Sequence, residues 1–146
     1  MNYLDIVIII FIIIESANVL ALYFAPGSKM FNAAGIFKAW ERSKEQPDIH
    51  DFVKYLLYWV AGSKLIFICL LVVILIFGND ITKQISILAM VISIASFYWK
   101  LFPLIRKMDK ADQIDPKNYS KVLGVMIAFF IVVFLAAFVI SASAWI

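Results

Sequence analysis

Histidine and cysteine are nearly missing from this chain, with one of each, His50 and Cys69, in 146 residues. A single histidine excludes bis-imidazole haem ligation. A single cysteine excludes an intramolecular disulfide and a dithiol redox pair within the chain. Cys69 lies mid-run in Ile66-Phe67-Ile68-Cys69-Leu70-Leu71, where it reads as a small buried hydrophobe. A catalytic metal usually needs three or more clustered His, Cys, Asp or Glu ligands. Asp109, Asp112 and Asp115 recur at every third position, but they are interspersed with Lys107, Lys110 and Lys117. That pattern reads as a solvated, self-neutralised loop and not as a metal site. Neither a glycine-rich phosphate loop nor a Ser–His–Asp set is visible. Gly62 and Gly124 stand alone in their apolar runs, and no GxxxG spacing signposts close helix packing. No catalytic residue, metal or cofactor is expected.

Charge is also scarce, at 16% of residues, and it clusters between the apolar runs. Hydrophobic residues make up 64% and the mean hydropathy is +0.96. A soluble domain is about 45–50% apolar, and a soluble fold of this length could not hide the excess. The expectation is therefore an all-α integral membrane protein. The net charge of +3 is a matter of topology, because the basic residues lie at the ends of apolar stretches; no nucleic-acid footprint is read from it.

Crossing a bilayer takes about 20 largely apolar residues. Four stretches qualify: about residues 3–24, 52–77, 81–105 and 119–145. The first has no basic leader and no small-x-small site after it, so it is expected to be a retained span. Ala25-Pro26-Gly27 stops it, since proline cannot continue a helix and glycine tolerates the left-handed cap. Asp48 is the expected N-cap of the second helix, with Asp51 in its first turn. Gly78-Asn79-Asp80 leaves room only for a tight turn, which makes the second and third helices an antiparallel hairpin. Asp115-Pro116 reads as N-cap and first residue of the fourth.

Orientation follows from the basic residues. Lys29, Lys38, Arg42, Lys44 and Lys54 belong to the first connection and its flanks. Lys100, Arg106, Lys107, Lys110, Lys117 and Lys121 belong to the third. Only Lys83 lies on the other side, so the count is eleven against one. The positive-inside rule then places both longer connections in the cytoplasm and both termini outside.

Within the first connection, Met30, Ala33, Ala34, Phe37 and Trp40 recur at helical spacing, while Asn32, Lys38, Glu41 and Arg42 take other faces. This predicts an amphipathic interfacial helix over about residues 29–45, between the first two spans. Such a helix either lids the cytoplasmic end or serves as a gate or partner-docking element. His50, in Pro47-Asp48-Ile49-His50-Asp51, sits at the water boundary; it is either an ordinary surface histidine or a pH-sensing group.

Two charges do fall inside the spans. Glu15 follows the run Val7–Ile14, and Lys64 interrupts Leu56–Phe77. An ionisable group at bilayer depth costs about 2.5 to 17 kcal/mol and marks a functional-site hypothesis. At ~1.5 Å rise per residue, Glu15 lies roughly 13 Å and Lys64 roughly 12 Å from the cytoplasmic ends of their helices. Ser96 falls in the same layer, Ser93 is one turn away, Asn18 shares a face with Glu15, and Ser63 adjoins Lys64. The expectation is a polar layer of Glu15, Asn18, Ser63, Lys64, Ser93 and Ser96, with the two charges paired and Asn18 and the serines supplying hydrogen bonds. It is either a clasp that sets helix register or a working site for a proton, an ion or a polar ligand. The remaining alternative is Lys64 snorkelling unpaired toward the interface.

A membrane-embedded glutamate midway along the first of four spans resembles the small multidrug-resistance transporters. The chain departs from them in its longer connections, in Lys64 and in its orientation bias. Its size, four spans, outside termini and basic first connection are similar to those of the glutathione-dependent membrane transferases. Trp40-Glu41-Arg42-Ser43-Lys44-Glu45-Gln46-Pro47 stands where those carry a basic, asparagine-rich signature, without the asparagines. Three functions are carried forward. The first is transport or binding of a small polar, ionic or amphipathic ligand through the Glu15–Lys64 layer. The second is a non-catalytic membrane scaffold or accessory subunit. The third is a membrane enzyme acting on lipophilic substrates. The expected partners are the lipid bilayer and either further copies of the chain or a membrane partner subunit.

Overall fold

A computed structural model describes residues 2–143, so the predicted end of the last span, through Trp145, lies outside the described residues. The helices are α1 (Tyr3–Phe24), α2 (Lys38–Ser43), α3 (Pro47–Phe77), α4 (Asp80–Ala95), α5 (Leu101–Lys110) and α6 (Tyr119–Ser143). Among the described residues there is no strand; a lone bridge joins Phe37 to Ile114. Four helical stretches are long and apolar enough to cross a membrane: α1, α3, the α4–α5 stretch and α6.

Each boundary has a local cause. Asn2 caps α1 by accepting from the Asp5 amide, and the Asp5 side chain accepts from the Asn2 amide in return, so two of the orphan donors at the helix start are satisfied. α3 begins earlier than expected, with Gln46 as N-cap and Pro47 as its first residue. Asp48 therefore lies inside the first turn, where a carboxylate still opposes the helix dipole. Asn79 caps α4 by accepting from the Thr82 amide at 2.8 Å.

The third predicted span is not one continuous helix. α4 tightens to a 3-10 turn at Ser96–Tyr98, and the chain re-enters a helix at Leu101. Pro103 supplies the reason: it has no amide hydrogen to donate to Trp99, and its ring crowds that carbonyl, so it is tolerated only in the first turn of a new helix. Nor does Asp115 cap the last helix, which begins at Tyr119. Asp109, at the end of α5, takes that role by accepting from the amides of Asn118 and Ser120 at 3.0 Å each and from the Ser120 hydroxyl at 2.6 Å.

The predicted interfacial helix over residues 29–45 is also absent as a single element. Phe31 and Asn32 take positive φ of 54° and 56°, and only a 3-10 turn at Ala34–Ile36 and the short α2 are helical. The chain instead folds back on itself: the Ala34 amide donates to Pro26 at 2.8 Å and the Gly35 amide to Ser28 at 3.0 Å. A Cβ on Gly35 would sit 2.0 Å from the Gly27 carbonyl oxygen, so only glycine permits this approach. Of the periodic set, Ala33, Ala34 and Trp40 are nonetheless buried and Phe37 is half-buried, whereas Met30 is 62% exposed; Ile36, outside the set, is buried as well. The apolar periodicity reflects burial in a folded connection and not one face of a continuous helix.

Packing is asymmetric. α1 lies between α3 on one side and the α4/α6 pair on the other, whereas α3 and α4, joined by a tight turn, touch little. At the turn end all four long helices share one core, with Leu4, Ile8 and Phe11 of α1 against Leu71, Ile87, Met90 and Phe134. Toward the long connections this core forks. Val19 and Leu22 of α1 pack with Ala61 and Ile68 of α3. Separately, Ile36 and Ile114 of the two connections pack with Ile105 and Leu123. The space between the branches is the feature that positions the site.

Candidate functional site

The fork opens into a cavity of about 970 Å³. α1 forms its floor through Phe11, Ile14, Glu15 and Asn18; α3 contributes Trp59, Ser63, Lys64 and Phe67 from one side, and Ser93, Ser96, Phe97, Met126 and Phe130 face them from the other. Phe11 closes the narrow end. Its ring meets Phe67, Phe130 and Phe134 edge-on at centroid distances of 6.1, 6.0 and 5.3 Å, the geometry that aromatic quadrupoles prefer.

All six residues of the expected polar layer line this one cavity. The Lys64 ammonium donates to Glu15 Oε2, and Asn18 Nδ2 donates to the other carboxylate oxygen at 3.3 Å. Asn18 is buried, the Glu15 side chain is 15% exposed and that of Lys64 is 32% exposed. The pair is thus partly desolvated, and Lys64 faces the open side of the cavity. The serines behave differently from expectation. Ser63 donates to the Trp59 carbonyl at 3.0 Å and Ser96 to the Ser93 carbonyl at 2.6 Å, each within its own helical segment. These two hydroxyls satisfy local backbone and do not solvate the ion pair.

Several lining groups escaped the sequence reading. Lys29, Asn32, Lys100 and Tyr119 stand at the wide end of the cavity. Asn32 accepts from the Tyr119 hydroxyl at 2.9 Å, and Lys29 pairs with Asp115 at 2.5 Å. They come from segments far apart in the chain, and only the docking of one long connection on the other brings them together. That docking rests on the Lys38 amide donating to Gln113 at 2.9 Å, the Asp115 amide donating to Ile36 at 2.8 Å, and Lys38 pairing with Asp112 at 2.6 Å. The carboxylate of Asp112 is held below the usual carboxylate range, first by the hydrogen bond from Lys38 and then by the charges of Lys38 and Lys117. Lys29 does the same for Asp115. Asp112 and Asp115 are thus neutralised from across the fold more than by the neighbouring lysines, while Asp109 is engaged locally by Asn118 and Ser120.

A second ion pair was not foreseen. Lys83 pairs with Asp5 at 2.7 Å with side chains 12% and 16% exposed, and Asn2 Nδ2 donates to Asp80 at 2.8 Å. These bonds tie the starts of α1 and α4 together at the turn end. They lie outside the cavity, which distinguishes a packed clasp from the groove-lining pair. His50 is half-buried: its Nδ1 lies 2.8 Å from the Ser43 hydroxyl, and its ring centroid is 4.7 Å from that of Trp40. It fastens α2 to α3. Among the described residues no group of three His, Cys, Asp or Glu side chains converges to hold a metal, and Cys69 is exposed on α3 and not buried as its run suggested. Compared with the known protein families, with curated proteins and with solved structures, the chain matches none.

Proposed function

We propose that this is a multi-pass membrane protein whose forked core binds a small amphipathic ligand, as a binding or transport protein. The observation that carries the reading is the coincidence of the six polar side chains with a single large cavity. A volume of about 970 Å³ lies at the upper end of the range typical of small-molecule sites, about 300–1,000 Å³. The walls are chiefly apolar and aromatic, and the polar groups converge on one level. A ligand with an apolar body and a polar head matches that division, the head meeting Glu15, Lys64 and Asn18. A fixed Glu–Lys pair presents both a donor and an acceptor without net charge, which suits a polar or zwitterionic head better than a lone ion. The purely structural reading of the pair is weakened by Asp5–Lys83, which already ties helices together in a packed setting.

In this reading the basic bias, eleven Lys or Arg at the two longer connections against Lys83 alone at the turn end, puts the wide mouth of the cavity in the cytoplasm and both termini outside.

Native mass spectrometry of the protein released from its own membranes tests the proposal. Wild type is expected to retain a small-molecule adduct. Ser93→Phe, which fills the cavity, and the charge-free Glu15→Gln/Lys64→Met double variant are expected to lose it while remaining folded. Adducts of equal mass and abundance in all three proteins would overturn the assignment.

A further inference from the structure

A second, smaller cavity of about 530 Å³ lies outside the groove, where α5 ends and α6 begins. Arg106 and Lys110 of α5 and Lys117 and Lys121 beside the start of α6 line it. Arg106 and Lys110 are four apart, so they share one helix face, where like charges repel unless an anion lies between them. Among the described residues, Arg106, Lys110 and Lys121 make no ion pair, and Lys117 only approaches Asp112 at 3.9 Å. The two carboxylates at this pocket are engaged elsewhere. Asp109 spends both oxygens on the Asn118 and Ser120 amides and the Ser120 hydroxyl, and Asp112 is held by Lys38 at 2.6 Å. Four cations against Asp109 and Asp112 leave a formal charge of +2 (four minus two).

We propose that this pocket holds the phosphomonoester headgroup of a membrane lipid, independently of the groove ligand. A phosphomonoester carries about −1.5 to −2 charges at neutral pH and three strong acceptor oxygens, which matches the uncompensated charge. Arg106 supplies the planar fork that engages two phosphate oxygens at once, while the lysines act as point charges. The apolar surroundings indicate a lipid and not a free phosphate. Phe102, four residues before Arg106, lines the pocket beside the cations, and Val125, four residues after Lys121 on the same face of α6, is 72% exposed. These residues flank the basic cluster and offer a surface for acyl chains, and basic pockets at the ends of membrane helices are where anionic headgroups bind.

The test uses the full chain in a neutral detergent, titrated with dioleoyl phosphatidic acid, dioleoyl phosphatidylcholine or inorganic phosphate, with bound lipid or ion counted by native mass spectrometry. Phosphatidic acid is expected to bind at least tenfold more tightly than phosphatidylcholine, and inorganic phosphate to give no adduct at the same concentration. Arg106→Gln/Lys110→Gln is expected to lower phosphatidic acid affinity about tenfold. Lys44→Gln/Lys54→Gln, which removes equal charge elsewhere, is expected to leave it unchanged. Equal loss in both double variants would show diffuse attraction and overturn the site. Equal affinity for the two lipids would overturn the phosphomonoester, and a phosphate adduct as strong as that of phosphatidic acid would overturn the lipid. Unchanged melting of the variants without lipid separates lost binding from lost folding.

Discussion

Glu15→Gln is the sharpest perturbation available. It removes the carboxylate charge, keeps the side-chain volume and leaves an oxygen for Asn18 and Lys64 to bond. Lys64 is then an uncompensated cation in a partly apolar cavity. Breaking a buried pair by removing one partner costs about 3–5 kcal/mol. The lower end applies here, because the Lys64 side chain keeps 32% exposure against 15% for Glu15, so the stranded ammonium retains some solvation. For a chain of this size about 3 kcal/mol lowers Tm by roughly 6–12 °C. Lys64→Met alone strands the carboxylate instead and is expected to cost a similar amount. The double variant removes both charges, and replacing an ion pair by apolar or neutral groups of similar volume is often neutral or stabilising, so its Tm is expected to return to the wild-type value. Intrinsic tryptophan fluorescence during melting in detergent reads all four proteins. If Glu15→Gln shifts Tm by less than about 2 °C, a loss below about 1 kcal/mol, the ion pair contributes nothing to the fold and the electrostatic reasoning fails. If the double variant stays as unstable as the singles, the coupling assigned to the pair is wrong.

Other consequences follow from single contacts. A Cβ on Gly124 would lie 2.7 Å from the Phe102 ring, and the Gly124 carbonyl accepts from the Tyr98 hydroxyl at 2.5 Å, so Gly124→Ala is expected to cost about 1–3 kcal/mol by overpacking. Gly62→Ala meets only the Tyr23 hydroxyl at 3.4 Å and is expected to melt like wild type in the same assay. Asp109→Ala removes the acceptor that satisfies the start of α6 and is expected to cost about 1 kcal/mol, as lost caps do, again read from Tm. Acid should loosen the docked connections. Asp112 and Asp115 have folded-state pKa values below the ordinary one, so their contribution is present above the ordinary carboxylate pKa and is lost as pH falls through the lowered values, below about pH 4. Amide exchange at Lys38 and Asp115, corrected for intrinsic rate, is expected to quicken there while that of Ala61 does not. Unchanged protection at the connections would remove Lys29 and Lys38 as their fasteners.

Much of this protein was legible along the chain because it depends on one-dimensional quantities. A run of about 20 apolar residues marks a helix long and apolar enough to cross a membrane whatever it packs against, and so α1, α3, the α4–α5 stretch and α6 were all legible. The juxtaposition of Glu15 and Lys64 was legible for the same reason: helical rise converts residue counts into depth. The break in the third predicted span was missed: the apolar run over about residues 81–105 predicts one helix, whereas Pro103, which lacks an amide hydrogen, falls in the first turn of a new one. The amphipathic pattern of the first connection was likewise compatible with more than one fold. Periodicity records which residues are buried, not whether a continuous helix buries them, and the close backbone approach at Gly35 chose the folded form.

The cavity could not be read in this way. A tight turn at Gly78 makes α3 and α4 neighbours in sequence, yet it leaves open whether they pack along their length. Side-chain fit decided that: α3 lies on α1, α4 lies on α6, and the core divides between them. The wide mouth, the lysines that neutralise Asp112 and Asp115, and the capping of α6 by Asp109 all join residues from separate segments. Local sequence determined that two charges would stand at one depth inside an apolar chain. The way the helices pair across the bundle decided that they would border an open cavity and not a sealed core, because cavity volume arises between elements and belongs to no single one of them.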